Sequence, residues 1–149
     1  MGRCPAARQS RKTVRPSAGE LIYADSSALV KLILDEPERA ALESYLKDGL
    51  QLASSRLATV EVSRAVKVAN GGPAGRVEAE SLLQRCFLVD VDDEILARAA
   101  ELASRELWAL DAIHLASAEY LGPKELIAYD SRLLRAAQSA GLRTASPGA

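Results

Sequence analysis

Apolar and polar positions along this chain follow two rhythms. Short apolar runs at 21–24, 50–53, 87–91 and 126–129 have the length of buried strands. The stretches between them carry apolar residues at helical spacing, which predicts helices over 28–34, 37–46, 57–69, 76–84, 93 to about 106, 110–121 and 131–140. The punctuation agrees with these ends. Ser26 or Ser27 can cap the first helix, and Asp35-Glu36-Pro37 breaks it. Ser54 or Ser55 caps the third, and Asn70-Gly71-Gly72-Pro73 stops it. Asp92 or Asp93 caps the fifth, and Gly122-Pro123 ends the sixth. Residues 142–145 read as a short edge strand. Strands separated by helices imply an α/β fold, with a central parallel sheet of four to five short strands and helices on both faces, a three-layer α/β/α architecture.

One local echo bears on function. Leu-Ile-Tyr-Ala-Asp-Ser at 21–26 and Leu-Ile-Ala-Tyr-Asp-Ser at 126–131 share one design: a buried strand, an aspartate, then a serine that suits a helix start. In a parallel sheet both aspartates, Asp25 and Asp130, emerge at the carboxyl edge, where open α/β sheets hold their ligands.

Length and composition fit one domain with a real core: 149 residues, 48% apolar and 26% charged. No apolar run reaches the roughly 18 residues of a membrane span. Residues 1–19 hold Arg3, Arg8, Arg11, Lys12 and Arg15 and no acid. They lack the apolar core of a secretory signal. They read as a basic, disordered tail, or as residues added by an upstream start codon, ahead of a single domain at 20–149. With those five bases set aside, 14 bases face 20 acids and the domain carries about −6. Such a charge does not suggest a nucleic-acid binder, unless a divalent metal neutralises acids at the site. Cys4 and Cys86 are no disulfide framework, and a reduced cytoplasmic setting follows.

Two further acids stand on apolar helix stripes. Glu61 shares a face with Leu57, Ala65 and Val68; Asp111 shares one with Leu107 or Trp108, Leu115 and Ala118. A buried carboxylate without a partner costs several kcal/mol or becomes protonated. Few bases are placed to pair with these two, whereas a metal shared with Asp25 and Asp130 would satisfy all four. Oxygen-only donors select a hard cation, Mg²⁺ with Mn²⁺ as a substitute. Such a site activates water and stabilises charge at phosphorus, which is the chemistry of phosphodiester hydrolysis.

The strings Tyr23-Ala-Asp-Ser-Ser-Ala-Leu-Val-Lys31, Thr59-Val-Glu-Val-Ser-Arg-Ala65, Leu110-Asp-Ala-Ile-His-Leu-Ala-Ser-Ala118 and Ala128-Tyr-Asp-Ser-Arg-Leu-Leu134 resemble the successive motifs of PIN-domain nucleases. Within that group they look most like the VapC toxins of bacterial toxin–antitoxin pairs. The acids lie 36, 50 and 19 residues apart, which also resembles that layout. The likeness covers about residues 20–147 and implies a PIN-like fold. It implies a Mg²⁺- or Mn²⁺-dependent endoribonuclease that prefers single-stranded RNA, forms a homodimer and is inhibited by a VapB-type antitoxin. By that resemblance Asp25 and Asp111 match the residues most often credited with the metal. Glu61 and Asp130 match supporting acids, and Ser27 matches a hydroxyl that would donate to a metal-bound water. The basic tail departs from the pattern.

Other residues carry plainer readings. His114, three residues after Asp111, reads as a hydrogen-bonded, partly buried histidine that orients a neighbouring carboxylate or helix, ahead of a general acid or ligand. Asp90, Asp92, Asp93 and Glu94 read as capping and helix-dipole charges, ahead of a second metal site. Lys31, Arg64, Arg132 and Arg135 are surface bases that could meet RNA phosphates or an antitoxin's acids. Trp108 reads as a core or interface residue ahead of a stacking surface for a base. Two other functions stay in view. One is a non-catalytic domain of the same fold that binds RNA or a partner. The other is a phosphoryl-transfer receiver domain, which Lys124, preceding the last main strand, fits poorly.

Overall fold

The computed structural model describes residues 16–17, 20–46 and 50–149. The predicted tail therefore lies almost wholly outside the described residues. Five strands form one parallel sheet: β1 (Leu21–Ala24), β2 (Gln51–Ser55), β3 (Phe87–Val89), β4 (Glu125–Ile127) and β5 (Thr144–Ala145), in the order β3-β2-β1-β4-β5. The helices are α1 (Ser26–Lys31), α2 (Arg39–Tyr45), α3 (Ala58–Val68), α4 (Gly72–Arg85), α5 (Asp93–Leu102), α6 (Ala109–Leu121) and α7 (Ser131–Ser139). The expected three-layer architecture is the one observed.

The layers follow from the two-residue period of the central strand. Leu21 and Tyr23 of β1 join Leu126 and residues of α5, α6 and α7 in one core; Ile22 and Ala24 join Ile127 and residues of α1 to α4 in the other. All four β1 residues are buried, as a strand covered on both faces must be. The strand order steps outward from β1 to β2 and β3 on one side, then returns to β4 and β5 on the other. The reversal falls between β1 and β4, and the crevice at the carboxyl ends of those strands is the natural ligand position.

Several boundaries differ from expectation, each for a local reason. The first helix begins at Ser26 and is capped by Asp25, whose side chain accepts from the Ala28 N–H; neither serine is the cap. The fourth helix starts at Gly72, because Pro73 suits a first turn as well as it ends a preceding one. The break itself is made by Asn70, at φ 59°, and by the Gly71 N–H returning to the Val66 carbonyl. The fifth helix stops at Leu102 rather than near 106. There Ser104 Oγ takes the N–H groups of Glu106 and Leu107, and the Ser104 N–H bonds the Leu107 carbonyl, so the chain closes into a turn. The second strand runs Gln51–Ser55 instead of 50–53, and the third ends at Val89.

Candidate active site

Asp25 follows β1 directly and is 5% exposed. Its Oδ1 accepts from Ser27 Oγ at 2.7 Å and from the Ala28 N–H at 3.0 Å. Ser27 Oγ accepts in turn from the Tyr129 N–H at 3.0 Å, which ties the start of α1 to the end of the neighbouring strand. Ser27 therefore spends its single proton on Asp25, not on a water as the resemblance implied. Among the described residues Asp25 Oδ2 has no hydrogen-bond partner. Burial pushes the Asp25 carboxyl above the ordinary carboxylate range and the Glu61 charge adds to it; the charge of His114 and the bonds from Ser27 and Ala28 oppose the shift.

Glu61 sits at the margin of its helix's buried face. That face is Ala58, Val62 and Val66, one residue out of phase with the predicted stripe, and Val68 is 73% exposed. Glu61 Oε1 accepts from Ser26 Oγ at 2.6 Å and from His114 Nε2 at 2.7 Å. Burial disfavours its charge, but the His114 bond and charge and the Ser26 bond outweigh burial and lower its pKa.

His114 links the two sides of the sheet edge. It is 2% exposed, and its Nδ1 meets the Tyr23 hydroxyl at 2.7 Å. An ionised Glu61 only accepts, so Nε2 carries a proton and donates to it. Burial, followed by the charge of Asp25, pushes the Tyr23 hydroxyl far up, so it stays a donor. The plainer reading of His114 as an orienting residue matches this geometry. Replacing it with alanine removes a buried partner of the Tyr23 hydroxyl and leaves Glu61 with the Ser26 bond. His114→Ala is expected to cost about 2–4 kcal/mol, read as a lower urea midpoint at unchanged slope. An unchanged midpoint would show that the chain Tyr23–His114–Glu61 carries no load.

Asp111 lies in the first turn of α6 and is half-buried. Leu107, Leu115 and Ala118 of its predicted stripe are buried as expected, but Trp108 is 61% exposed. Asp111 makes no hydrogen bond with any described residue. Its carboxyl is pushed up by burial first and by the charge of Asp130 second, against the weaker pull of His114 and Arg132. Asp130, two residues beyond the Ala128 that follows β4, caps α7: its Oδ1 accepts from the Arg132 N–H at 2.7 Å and the Leu133 N–H at 3.2 Å. Burial is outweighed by these bonds and by the Arg132 guanidinium, 3.6 Å from Oδ2, and its pKa is lowered.

The four acids thus fall into two kinds. Glu61 and Asp130 are held ionised by the protein. Asp25 and Asp111 are charged only against resistance. The electrostatic couplings join them into one site: Glu61 acts on both Asp25 and Asp111, and Asp130 acts on Asp111. Among the described residues no three His, Cys, Asp or Glu side chains already converge closely enough to hold a metal ion. The donor chemistry nevertheless fits a hard cation, since Mg²⁺ keeps several waters and takes one or two carboxylates. Asp25 through Oδ2 and Asp111 are the pair with capacity to spare.

The other candidates settle differently. Lys31 is engaged by Glu36 and Glu38. Asp92 caps α5 by accepting from the Ile95 N–H, and Asp90 pairs with Arg56. Asp93 and Glu94 lie in the first turn of α5, as dipole complements. Cys86 has its thiol pushed up to about 11 by burial, an unreactive state. No helix among the described residues is long and apolar enough to cross a membrane. Charge and spacing reasoning missed Tyr23 and Ser26, which look like ordinary strand and capping residues until the fold brings His114 and Glu61 to them.

Known proteins with similar sequences and folds point the same way. The PIN domain family model matches residues 22–139, a span that contains all four acids. Ribonuclease VapC46 of Mycobacterium tuberculosis is 41% identical over 128 residues, covering 85% of this chain and 97% of that protein. Ribonuclease VapC35 of the same organism is 39% identical over 134 residues, covering 86% and 98%. Among solved structures, the sarcin–ricin loop cleaving toxin VapC20 of Mycobacterium tuberculosis has a TM-score of 0.68 at 18% identity, covering 85% of this chain and 99% of that one. VapBC2 from Rickettsia felis, solved bound to a fragment of its promoter DNA, has a TM-score of 0.64 at 14% identity, covering 85% and 98%.

Proposed function

This chain belongs to the PIN domain family, within it to the VapC ribonucleases, and from that premise we propose that it is a Mg²⁺-dependent endoribonuclease, the toxin of a VapBC-type pair. The observation that carries the reading is the division of the site's acids at the sheet's reversal point. Two carboxylates have their charge favoured by their partners, and in the other two burial outweighs the groups that favour the charge. A protein retains such a pair at a cost in stability when a cation is to be bound there.

In this reading Asp25 and Asp111 hold the metal, and Glu61 and Asp130 support it directly or through water. Mg²⁺, or Mn²⁺ in its place, would neutralise charge on the scissile phosphate and acidify a water. The chain's own residues supply position. Ser27 holds Asp25 through Oδ1, and His114, which meets Tyr23, orients Glu61 through Oε1. The α7 backbone fixes Asp130 through Oδ1. In Asp25 and Glu61 these bonds are made to one oxygen of the carboxylate, which leaves the second for a metal or its water, whereas Asp130 Oδ2 has the Arg132 guanidinium 3.6 Å away. The VapB-type antitoxin, a homodimer of the toxin and a cytoplasmic location belong to the same reading. Complexes among the fold's neighbours support the antitoxin. Exposed Val60, Val68 and Val77 on α3 and α4 offer apolar surface to a partner.

The test is to co-express the chain with the product of the adjacent small gene, purify both forms, and assay single-stranded RNA. The free chain is expected to cut RNA with Mg²⁺ or Mn²⁺ and to stop in a chelator, and the complex is expected to be inactive. Cleavage that persists in chelator would overturn the metal assignment. No cleavage by the free chain with either metal would leave the binding-only reading in its place.

A further inference from the structure

Trp108 is the only tryptophan of the chain, and it is 61% exposed beside the candidate active site. A residue of this size is usually mostly buried. Its surroundings hold it firmly. It caps α6, and its carbonyl accepts from the Ala112 N–H at 2.8 Å. The preceding turn is closed on Ser104 and anchored by buried Leu107. The Arg132 guanidinium lies over the ring, 4.2 Å from its centroid, and the same side chain reaches the Asp130 carboxylate at 3.6 Å. With Arg132 over the ring, Trp108 still leaves 61% of its surface to solvent. Trp108 is one helical turn before Asp111, on the rim of the site.

We propose that Trp108, backed by Arg132, is a stacking platform for an RNA base next to the scissile phosphate, and that it contributes to the enzyme's base preference. This rests on the ribonuclease reading above. Three features favour a base as the occupant. The ring is flat, rigid and largely exposed, and every nucleobase has a π-face to lay on it. The cation behind it polarises the ring and is itself tied to Asp130, so platform and supporting acid are placed together. The domain's net negative charge leaves little general attraction for a polyanion, so grip on RNA has to come from local devices of this kind. Arg132 thereby gains a use distinct from a surface phosphate contact. Arg135, one turn further along α7, lines with Arg132 a cleft of about 720 Å³ bordered by Ser104 and Leu107.

The single tryptophan makes the test direct. Indole fluorescence is read while single-stranded RNA oligonucleotides are titrated into the full chain bearing Asp111→Asn, which is expected to cut roughly 10³-fold more slowly. Quenching that saturates with RNA is expected. Cleavage is then compared for wild type, Trp108→Phe and Trp108→Leu on oligonucleotides that differ in the bases flanking the cut. Trp108→Leu is expected to raise KM roughly 5- to 150-fold, the range that loss of one stacked base produces, and to flatten the base preference; Trp108→Phe should retain most of both. If the wild type cuts and Trp108→Leu cuts the same sites with the same KM, the platform is overturned. It is also overturned if Trp108→Leu instead dissociates a dimer in sedimentation at unchanged KM, which makes the residue an interface. A wild type that cuts no RNA overturns the ribonuclease reading itself, a different outcome from either.

Discussion

Asp111→Asn is expected to lose RNA cleavage by roughly 10³-fold while the metal-free protein becomes more stable. The loss follows from the several kcal/mol of transition-state charge stabilisation that a correctly held metal supplies. The gain follows from the environment. Asp111 has no hydrogen-bond donor among the described residues and lies against the charge of Asp130, so a neutral amide of the same shape is easier to bury. Asp25→Asn is expected to lose activity similarly without unfolding, because an amide oxygen can still accept from Ser27 and Ala28 and cap α1. Glu61→Gln should behave in the opposite way toward stability, since it gives up a charge-assisted bond with a buried histidine. Thermal melts in chelator, run beside single-turnover cleavage, separate the effects. Full activity in Asp111→Asn would remove the residue from the metal site, and a lower melting temperature would show that its carboxylate is structurally compensated after all.

The second large effect is a metal-induced rise in melting temperature that fades as the solution is acidified. At 100 times its dissociation constant a ligand that binds only the native state adds about 2.7 kcal/mol, roughly 5–11 °C for a domain of this size. The pH dependence has a definite sign. Asp25 and Asp111 have folded-state pKa values raised above their unfolded ones, chiefly by burial. Between those values the native protein binds more protons than the unfolded chain, so metal-free stability falls as pH rises through that window. Glu61 and Asp130 have lowered values, so their contribution is present above the ordinary carboxylate range and is lost only as pH falls through those lower values. The two windows lie on opposite sides of the ordinary carboxylate pKa. A metal needs the ionised forms, so its stabilisation is expected to be full near neutrality and to shrink as Asp25 and Asp111 take up protons. Melting curves with and without Mn²⁺ across that range give the increment directly. An increment independent of pH, or one retained in Asp111→Asn, would place the cation elsewhere.

The expected outcomes divide the site by what holds each side chain, and the same division separates what the chain's pattern conveys from what folding adds. Asp25 and Asp130 were legible because each follows a short apolar run, and a parallel sheet sends such residues to one edge whatever the details of packing. The capping chemistry told the same story one residue late: a serine is a good cap, but the aspartate before it reaches the Ala28 N–H and takes the role. Asp111 was legible because Leu107, Leu115 and Ala118 are all apolar, so a carboxylate among them needs a reason. Glu61 was legible for a flawed reason. Its stripe is out of phase with the true buried face, and what makes it significant is its place at the margin, beside Ser26 and His114.

By itself, then, the sequence determined the α/β layering and the number of main strands, and it singled out the four acids among which we propose a cation. These depend on periodicity, on breakers and on the cost of burying charge, all of which act locally. Only the tertiary structure decided which acids are compensated. His114 reaches Glu61 across 53 residues and Tyr23 across 91, and Ser27 meets Tyr129 across 102. No local rule encodes such pairings; they arise when β1, α3, α6 and the end of β4 pack around one sheet edge. The same packing left Trp108 open under a guanidinium rather than buried, since the turn at Ser104 places Leu107 in the core and turns its neighbour outward.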